Sequence, residues 1–233
     1  MLLAPSLSGG VVPLPAMTTR VVIIGAGGFG REVHDWLLNW AGGEATVGRK
    51  VDLLGFLDDG DVDQSRLDRI GATFLGGIDG LADLDAAYYV AVGDPATRER
   101  IVARCAAMGA EPGPAIVHAS AVVGSDVHLS PGAIICPMSV VTTNVHIGAH
   151  AHLNLTTTVG HDAFVGDFAT INPGATISGG VHLGERVMIG TGASVNQGLT
   201  VGDGSIIGAG AAVVKDIPAG VTAVGVPARP LQG

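Results

Sequence analysis

From residue 117 to residue 213 every sixth position is aliphatic, beginning Val117, Val123, Leu129, Ile135 and Val141 and ending Val201, Ile207 and Val213, seventeen positions without a miss. If one residue in three were Leu, Ile or Val, such a run would arise by chance with a probability on the order of 10⁻⁸. Four residues after most of these positions stands a small or β-branched side chain, as at Ala133, Ser139, Ala151, Thr157, Ala163 and Ala169. Gly or Asn often follows the aliphatic residue directly, as at Gly148, Asn154, Gly160, Gly166, Asn172 and Gly184. A period of six predicts a parallel β-helix in which each hexad is one short strand and a corner, three hexads close a coil, and coils stack about 4.8 Å apart. The aliphatic residue points into the prism. The small residue fits near the tight corner, and Gly or Asn supplies backbone freedom there.

Ahead of the repeat the period changes. The run RVVIIGAGGFGREVHDWLLNW reads as a buried parallel strand, a glycine turn and an amphipathic helix with Val33, Trp36, Leu37 and Trp40 on one side. Gly25, Gly27 and Gly30, with Gly28 between them, form a G-x-G-x-x-G turn in the strand-to-helix context that sets backbone N–H groups and a positive helix end against phosphate. A second strand over 51–57 ends in Asp58 and Asp59, candidates for ribose hydroxyls or a base N–H, and residues 42–49 read as an inserted loop. After a third short strand around 73–75, a weak helix and a strand over 88–92, Pro95 opens a helix through Met108. Asp94 is either its cap or a ligand contact, and Arg98 either reaches a phosphate or lies on a solvated helix face. Residues 109–114 close this α/β unit as a Gly/Pro linker. The predicted organisation is a disordered leader over 1–16, with Met17 as a candidate start, a Rossmann-like domain over 17–112, a β-helix over 113–221 and a tail over 222–233.

The formal net charge of −9, with 12 Lys and Arg spread along 233 residues, excludes a nucleic-acid partner, because a phosphate backbone demands clustered cations. No apolar run is long enough for a transmembrane helix, and residues 1–16 lack the basic start of a signal peptide. Two cysteines, Cys105 and Cys136, fall in different predicted domains and suggest no disulfide framework, which points to a reducing cytoplasm.

The turn GAGGFGRE, the strand end FLDD, the segment VGDPATRER, the hexads around GHDAFVGDF and the closing GVPAR together resemble bacterial acetyltransferases that act on nucleotide-linked amino sugars, with sialic acid O-acetyltransferases among close relatives. The resemblance runs from about Met17 to the end of the chain. It implies a left-handed β-helix, an α/β domain that holds the nucleotide of the acceptor, a homotrimer, and acetyl-CoA lying between neighbouring prisms. It places the catalytic histidine at His161, an acidic partner at Asp162, and at Gly179 a backbone N–H facing the thioester oxygen. One coil's rise of about 4.8 Å between His161 and Gly179 suits a base and an oxyanion donor flanking an acyl carbon. The resemblance further implies cofactor contacts along Thr170, Asn172, Thr191 and Ala209. Thr170 departs from relatives with a second histidine there, which puts a side-chain contact to CoA in question.

The remaining histidines carry less. His128, His146 and His182 share a column with Phe164, but His146 and His182 lie two coils apart, about 9.6 Å, too far for one zinc, so no metal is expected. His118, His150 and His152 read as structural, and His34 either borders the sugar site or packs in its helix. Three functions remain open: acetyl transfer to a sugar amine, acetyl transfer to a sugar hydroxyl, and a non-catalytic scaffold whose α/β domain senses a nucleotide.

Overall fold

The computed structural model describes residues 18–40 and 50–231. The predicted leader, the inserted loop over 42–49 and the side chain of Trp40 lie outside the described residues.

The first unit is a parallel sheet of β1 (Thr18–Ile24), β2 (Lys50–Leu57), β3 (Phe74–Gly76) and β4 (Ala87–Val90) in the order β3-β2-β1-β4. Helices α1 (Gly28–Trp40), α2 (Gln64–Arg69) and α3 (Pro95–Ala107) connect or follow the strands, and a 3-10 turn spans Ile78–Asp83. The sequence reading missed α2, whose apolar anchor is Leu67 alone. The short helix is held instead by the Asp63 side chain, which accepts the Arg66 N–H at its start. Val21, Val22, Ile23 and Ile24 are all buried, as expected of a strand covered on both faces.

The second unit is the hexapeptide prism. Strands eighteen residues apart pair in parallel and stack into three faces. The first face begins with Ile116–Val117, Ile134–Ile135, His152–Leu153 and Thr170–Ile171, and continues through Met188–Ile189, Ile206–Ile207, Thr222–Val224 and the antiparallel Arg229–Pro230. The stretch expected as a tail after residue 221 instead completes this face and buries Ala223 and Ala228 in the prism core. The second includes Val140–Val141, Thr158–Val159, Thr176–Ile177 and Ser194–Val195. The third includes Val145–Ile147, Phe164–Val165 and His182–Leu183. The sixfold aliphatic positions from Ile135 to Val213 form one continuous core.

The corners correct one expectation. Positive φ falls not on the residue directly after the aliphatic one but on the third after it, and seven of these are not glycine: Met138, Asn144, His150, Thr156, Asp162, Phe168 and Arg186. The glycines that directly follow are demanded by close approach. A Cβ on Gly160 would lie 2.5 Å from the Gly179 nitrogen, and one on Gly190 2.5 Å from the Ala209 nitrogen, because each corner rests on the corner of the next coil. Left-handed backbone costs an ordinary residue about 1–2 kcal/mol. Here the stacked coils hold it, through bonds such as Gly180 N–H to the His161 carbonyl at 2.7 Å and Asp162 N–H to the Thr143 carbonyl at 3.2 Å.

The α/β unit packs on the first face and on the edge between the third and first faces. Phe29 meets His152 with ring centroids 5.1 Å apart, and His150 stacks between Tyr88 and Phe168 at 6.0 and 5.5 Å. Arg98 seals the junction. It is fully buried, and its guanidinium donates to the carbonyls of Val92 (2.6 Å), Gly93 (3.2 Å), His150 (2.8 Å), Phe168 (2.5 Å) and Ala169 (3.2 Å) and to the Thr170 hydroxyl (2.9 Å). Burial pushes its pKa down to about 9, which still leaves it charged at neutral pH.

Candidate active site

His161 and Asp162 occupy the edge between the second and third faces, opposite the face that carries the α/β unit. His161 Nδ1 lies 2.6 Å from Asp162 Oδ2, and the other carboxylate oxygen accepts the Asn144 side-chain amide at 2.5 Å. Both partners are open to solvent, with side chains 67% and 55% exposed, so the pair does not serve the core. The hydrogen bonds from His161 and then Asn144 hold the Asp162 carboxyl below its ordinary pKa, which keeps it an anion facing the ring. With Nδ1 engaged by the carboxylate, Nε2 has no partner among the described residues and can accept a proton.

Gly179 lies directly against that ring. A Cβ there would sit 2.6 Å from both Cε1 and Nε2 of His161. Only glycine lets the imidazole take this place. The Gly179 carbonyl accepts the Gly198 N–H at 3.0 Å, while its own N–H donates to no group among the described residues. An open backbone donor thus stands beside an imidazole nitrogen poised to accept a proton.

A second site lies at the carboxyl ends of β1 and β2. Ala26, Gly27, Gly28, Arg31, Asp58, Asp61, Val62, Asp63 and Arg66 enclose a cleft of about 270 Å³. Gly25 takes φ +108°, and a Cβ on Gly30 would lie 1.8 Å from the Gly25 carbonyl oxygen, so both glycines are required by the turn. Asp58 accepts the Ala26 N–H at 2.7 Å and the Gly60 N–H at 2.8 Å. The Ala26 donor is therefore engaged by a carboxylate, and the first-turn N–H groups of α1 after it remain for a ligand. A larger cleft of about 460 Å³ lies at the opposite, amino end of β1 and β4, where parallel sheets do not place their ligands.

Three expected contacts are overturned, those of Arg98, Thr170 and Asp59. Arg98 cannot reach a phosphate, since it is buried and wholly engaged in joining the two units. Thr170 cannot offer its side chain to CoA, because it is buried in the same junction with its hydroxyl donating to the Gly93 carbonyl at 2.9 Å. Asp59 turns away from the cleft, accepting the Ile78 N–H at 2.8 Å and pairing with Arg104 at 2.5 Å. Asp94 takes one of its two expected roles, the cap of α3, accepting the Thr97 N–H at 2.7 Å. Asn172 spends its side-chain amide on the Ile189 carbonyl at 2.9 Å. His34 is buried against Phe56, with ring centroids 5.4 Å apart. Thr191 and Ala209 are exposed, one coil apart, on the edge between the first and second faces, across the second face from His161.

The sequence reading did not single out Asn144, although it stands eighteen residues before Asp162 in the same corner column. Arg31 and Arg66 of the cleft had no marker beyond charge. On the third face the rings of His128, His146, Phe164 and His182 stack 4.7–4.8 Å apart with planes within 11°. They turn faces rather than nitrogen lone pairs toward one another, and no metal-grade cluster of His, Cys, Asp or Glu occurs among the described residues.

A glycine-turn α/β unit sealed onto a hexapeptide prism with an exposed His–Asp pair defines a two-domain hexapeptide-repeat transferase. Residues 20–105 match the PglD N-terminal domain and residues 180–215 the bacterial transferase hexapeptide, six repeats. The acetyltransferase domain of PglB from Neisseria gonorrhoeae FA1090, solved in complex with acetyl coenzyme A, is 34% identical with a TM-score of 0.79, over 92% of this chain and 100% of that one. A mutant of perosamine N-acetyltransferase from Caulobacter crescentus, in complex with CoA and GDP-perosamine, is 30% identical with a TM-score of 0.78, over 91% and 97%. WeeI from Acinetobacter baumannii AYE is 30% identical with a TM-score of 0.77, over 92% and 100%. Comparison with curated protein sequences gives no match. The chain belongs to the left-handed β-helix family of bacterial nucleotide-sugar N-acetyltransferases.

Proposed function

We propose that this protein transfers the acetyl group of acetyl-CoA to the amino group of a nucleotide-linked amino sugar, with His161 as general base. The observation that carries the reading is the His161 ring, held by Asp162 and seated on Gly179 beside an N–H that donates to no group among the described residues. The sugar amine attacks the thioester carbonyl carbon while His161 Nε2 takes the amine proton. The Gly179 N–H stabilises the oxyanion as the tetrahedral intermediate forms, and on its collapse the C–S bond breaks and the proton passes to the departing CoA sulfur. No covalent acyl-enzyme is needed, and both cysteines are buried away from this edge. CoA and GDP-perosamine in the Caulobacter enzyme support the two substrate classes.

The α/β cleft takes the nucleotide through the first turn of α1, Asp58 and Arg31, with residues 17–112 as the acceptor domain and the prism from residue 113 onward as the transferase domain. His161 lies on the edge opposite the first face, so the acceptor held by one chain is best delivered to the histidine of another. That placement supports a homotrimer with acetyl-CoA between prisms, its pantetheine arm along the exposed backbone at Thr191 and Ala209. No helix among the described residues is long and apolar enough to cross a membrane. The substrates and the free cysteines suit the cytoplasm.

Purified protein given acetyl-CoA and a panel of UDP-, GDP- and dTDP-linked amino sugars releases free thiol with at least one of them. The product gains one acetyl mass and resists mild alkali, as an amide does. His161→Ala lowers kcat by about two to four orders of magnitude. No turnover across the panel, or full activity in His161→Ala, overturns the reading.

A further inference from the structure

We infer that Asn144 is a positioning residue for the acetyl transfer, fixing the Asp162 carboxylate so that His161 presents Nε2 to the acceptor amine. The inference rests on the role proposed for His161. Asn144 and Asp162 stand eighteen residues apart in one corner column, one coil above the other, and both take the left-handed backbone conformation, at φ 54° and 61°. Asn and Asp are the side chains that best tolerate it. Their backbones being fixed by the stacked corners, the side chains meet directly: Asn144 Nδ2 donates to Asp162 Oδ1 at 2.5 Å, and Asp162 Oδ2 meets His161 Nδ1 at 2.6 Å. Without Asn144 the carboxylate of an exposed residue turns freely about its side-chain bonds, and one of its rotamers alone faces Nδ1. An amide suits the position because it donates a hydrogen bond and carries no charge. A lysine or arginine there would pull the carboxylate toward itself by charge, and an aspartate would repel it.

A purely structural role is the competing account. Asn144 and Asp162 are both exposed at the surface of the prism, where one hydrogen bond adds little to folding. Stability and catalysis therefore separate the two accounts.

The test is steady-state kinetics of the full-length protein with acetyl-CoA and the nucleotide-sugar acceptor found above, alongside thermal melting. Asn144→Ala is expected to lower kcat about ten- to hundredfold, the order that misplacing a catalytic group costs, with KM for both substrates within twofold and Tm within about 2 °C. Asn144→Asp is expected to lose as much and to move the acid limb of the pH profile of kcat/KM upward, since a second carboxylate favours the imidazolium. Asn144→Ser, which keeps a neutral donor, recovers part of the rate. In the Asp162→Ala background, Asn144→Ala has no further effect, because the residue acts through the carboxylate. Unchanged kcat in Asn144→Ala, a loss that follows Tm, or additive losses in the double variant overturns the inference. His161→Ala run in parallel separates the two failures: an inactive His161→Ala beside a fully active Asn144→Ala sinks the positioning role alone, whereas an active His161→Ala sinks the proposed reaction.

Discussion

Two edges of the same prism carry polar side chains to opposite ends. On the edge between the third and first faces, Arg98 is fully buried and finds a partner for each donor, among carbonyls of both units and the Thr170 hydroxyl. On the edge between the second and third faces, Asn144, Asp162 and His161 form an exposed chain that ends on a nitrogen with no partner among the described residues, beside a backbone N–H in the same condition. A polar group whose every bond is made can only hold the fold together. One left open on a rigid support can act on a substrate. The repeat supplies the same rigid corner in both places, and what covers the corner decides which use it has.

The comparison breaks most severely at Arg98. Arg98→Ala leaves buried carbonyls without donors and is expected to cost about 3–5 kcal/mol of unfolding free energy, read from urea denaturation. Arg98→Lys recovers only part of this, since an ammonium cannot reproduce the fork of donors. A Tm and unfolding midpoint equal to wild type would show that the junction does not depend on the guanidinium.

Gly179→Ala tests the open edge. The new methyl would lie 2.6 Å from the His161 ring, so the imidazole must swing away, and kcat is expected to fall by about two orders of magnitude while Tm changes little at this exposed corner. Undiminished turnover would remove the seat of His161 on Gly179 from the mechanism.

The smallest effect sharpens the contrast through pH. Burial, and then Arg98, lower the His150 pKa to about 4, from an ordinary value of 6.5. A histidine depressed in the folded state leaves stability intact above pH 6.5 and withdraws it as pH falls from 6.5 toward 4, because the unfolded chain takes up the proton first. The loss is on the order of 2–3 kcal/mol and appears as a falling Tm across that window. His150→Asn, which tolerates the left-handed corner, should flatten the slope. An equal slope in that variant would assign the acid sensitivity to other groups.

The sixfold aliphatic pattern was legible because a prism interior admits one kind of side chain at one period. The strand, glycine turn and helix at 20–40 were legible because a continuous apolar run, a glycine motif and a period of 3.6 are local properties. His161, Asp162 and Gly179 were reached by resemblance and by counting eighteen residues, which is the stacking rule itself. Counting alone could not say that the third residue of each corner, rather than the first, takes positive φ, since that depends on how one corner rests on another. The sequence of α3 could not tell Arg98 the phosphate ligand from Arg98 the clamp. An arginine one turn into a helix looks the same whether solvent, a ligand or a neighbouring domain faces it, and the first face of the prism was the neighbour. The repeat was therefore written in the residues, while the partner of each polar side chain was decided by the packing of two units whose contacts lie far apart along the chain.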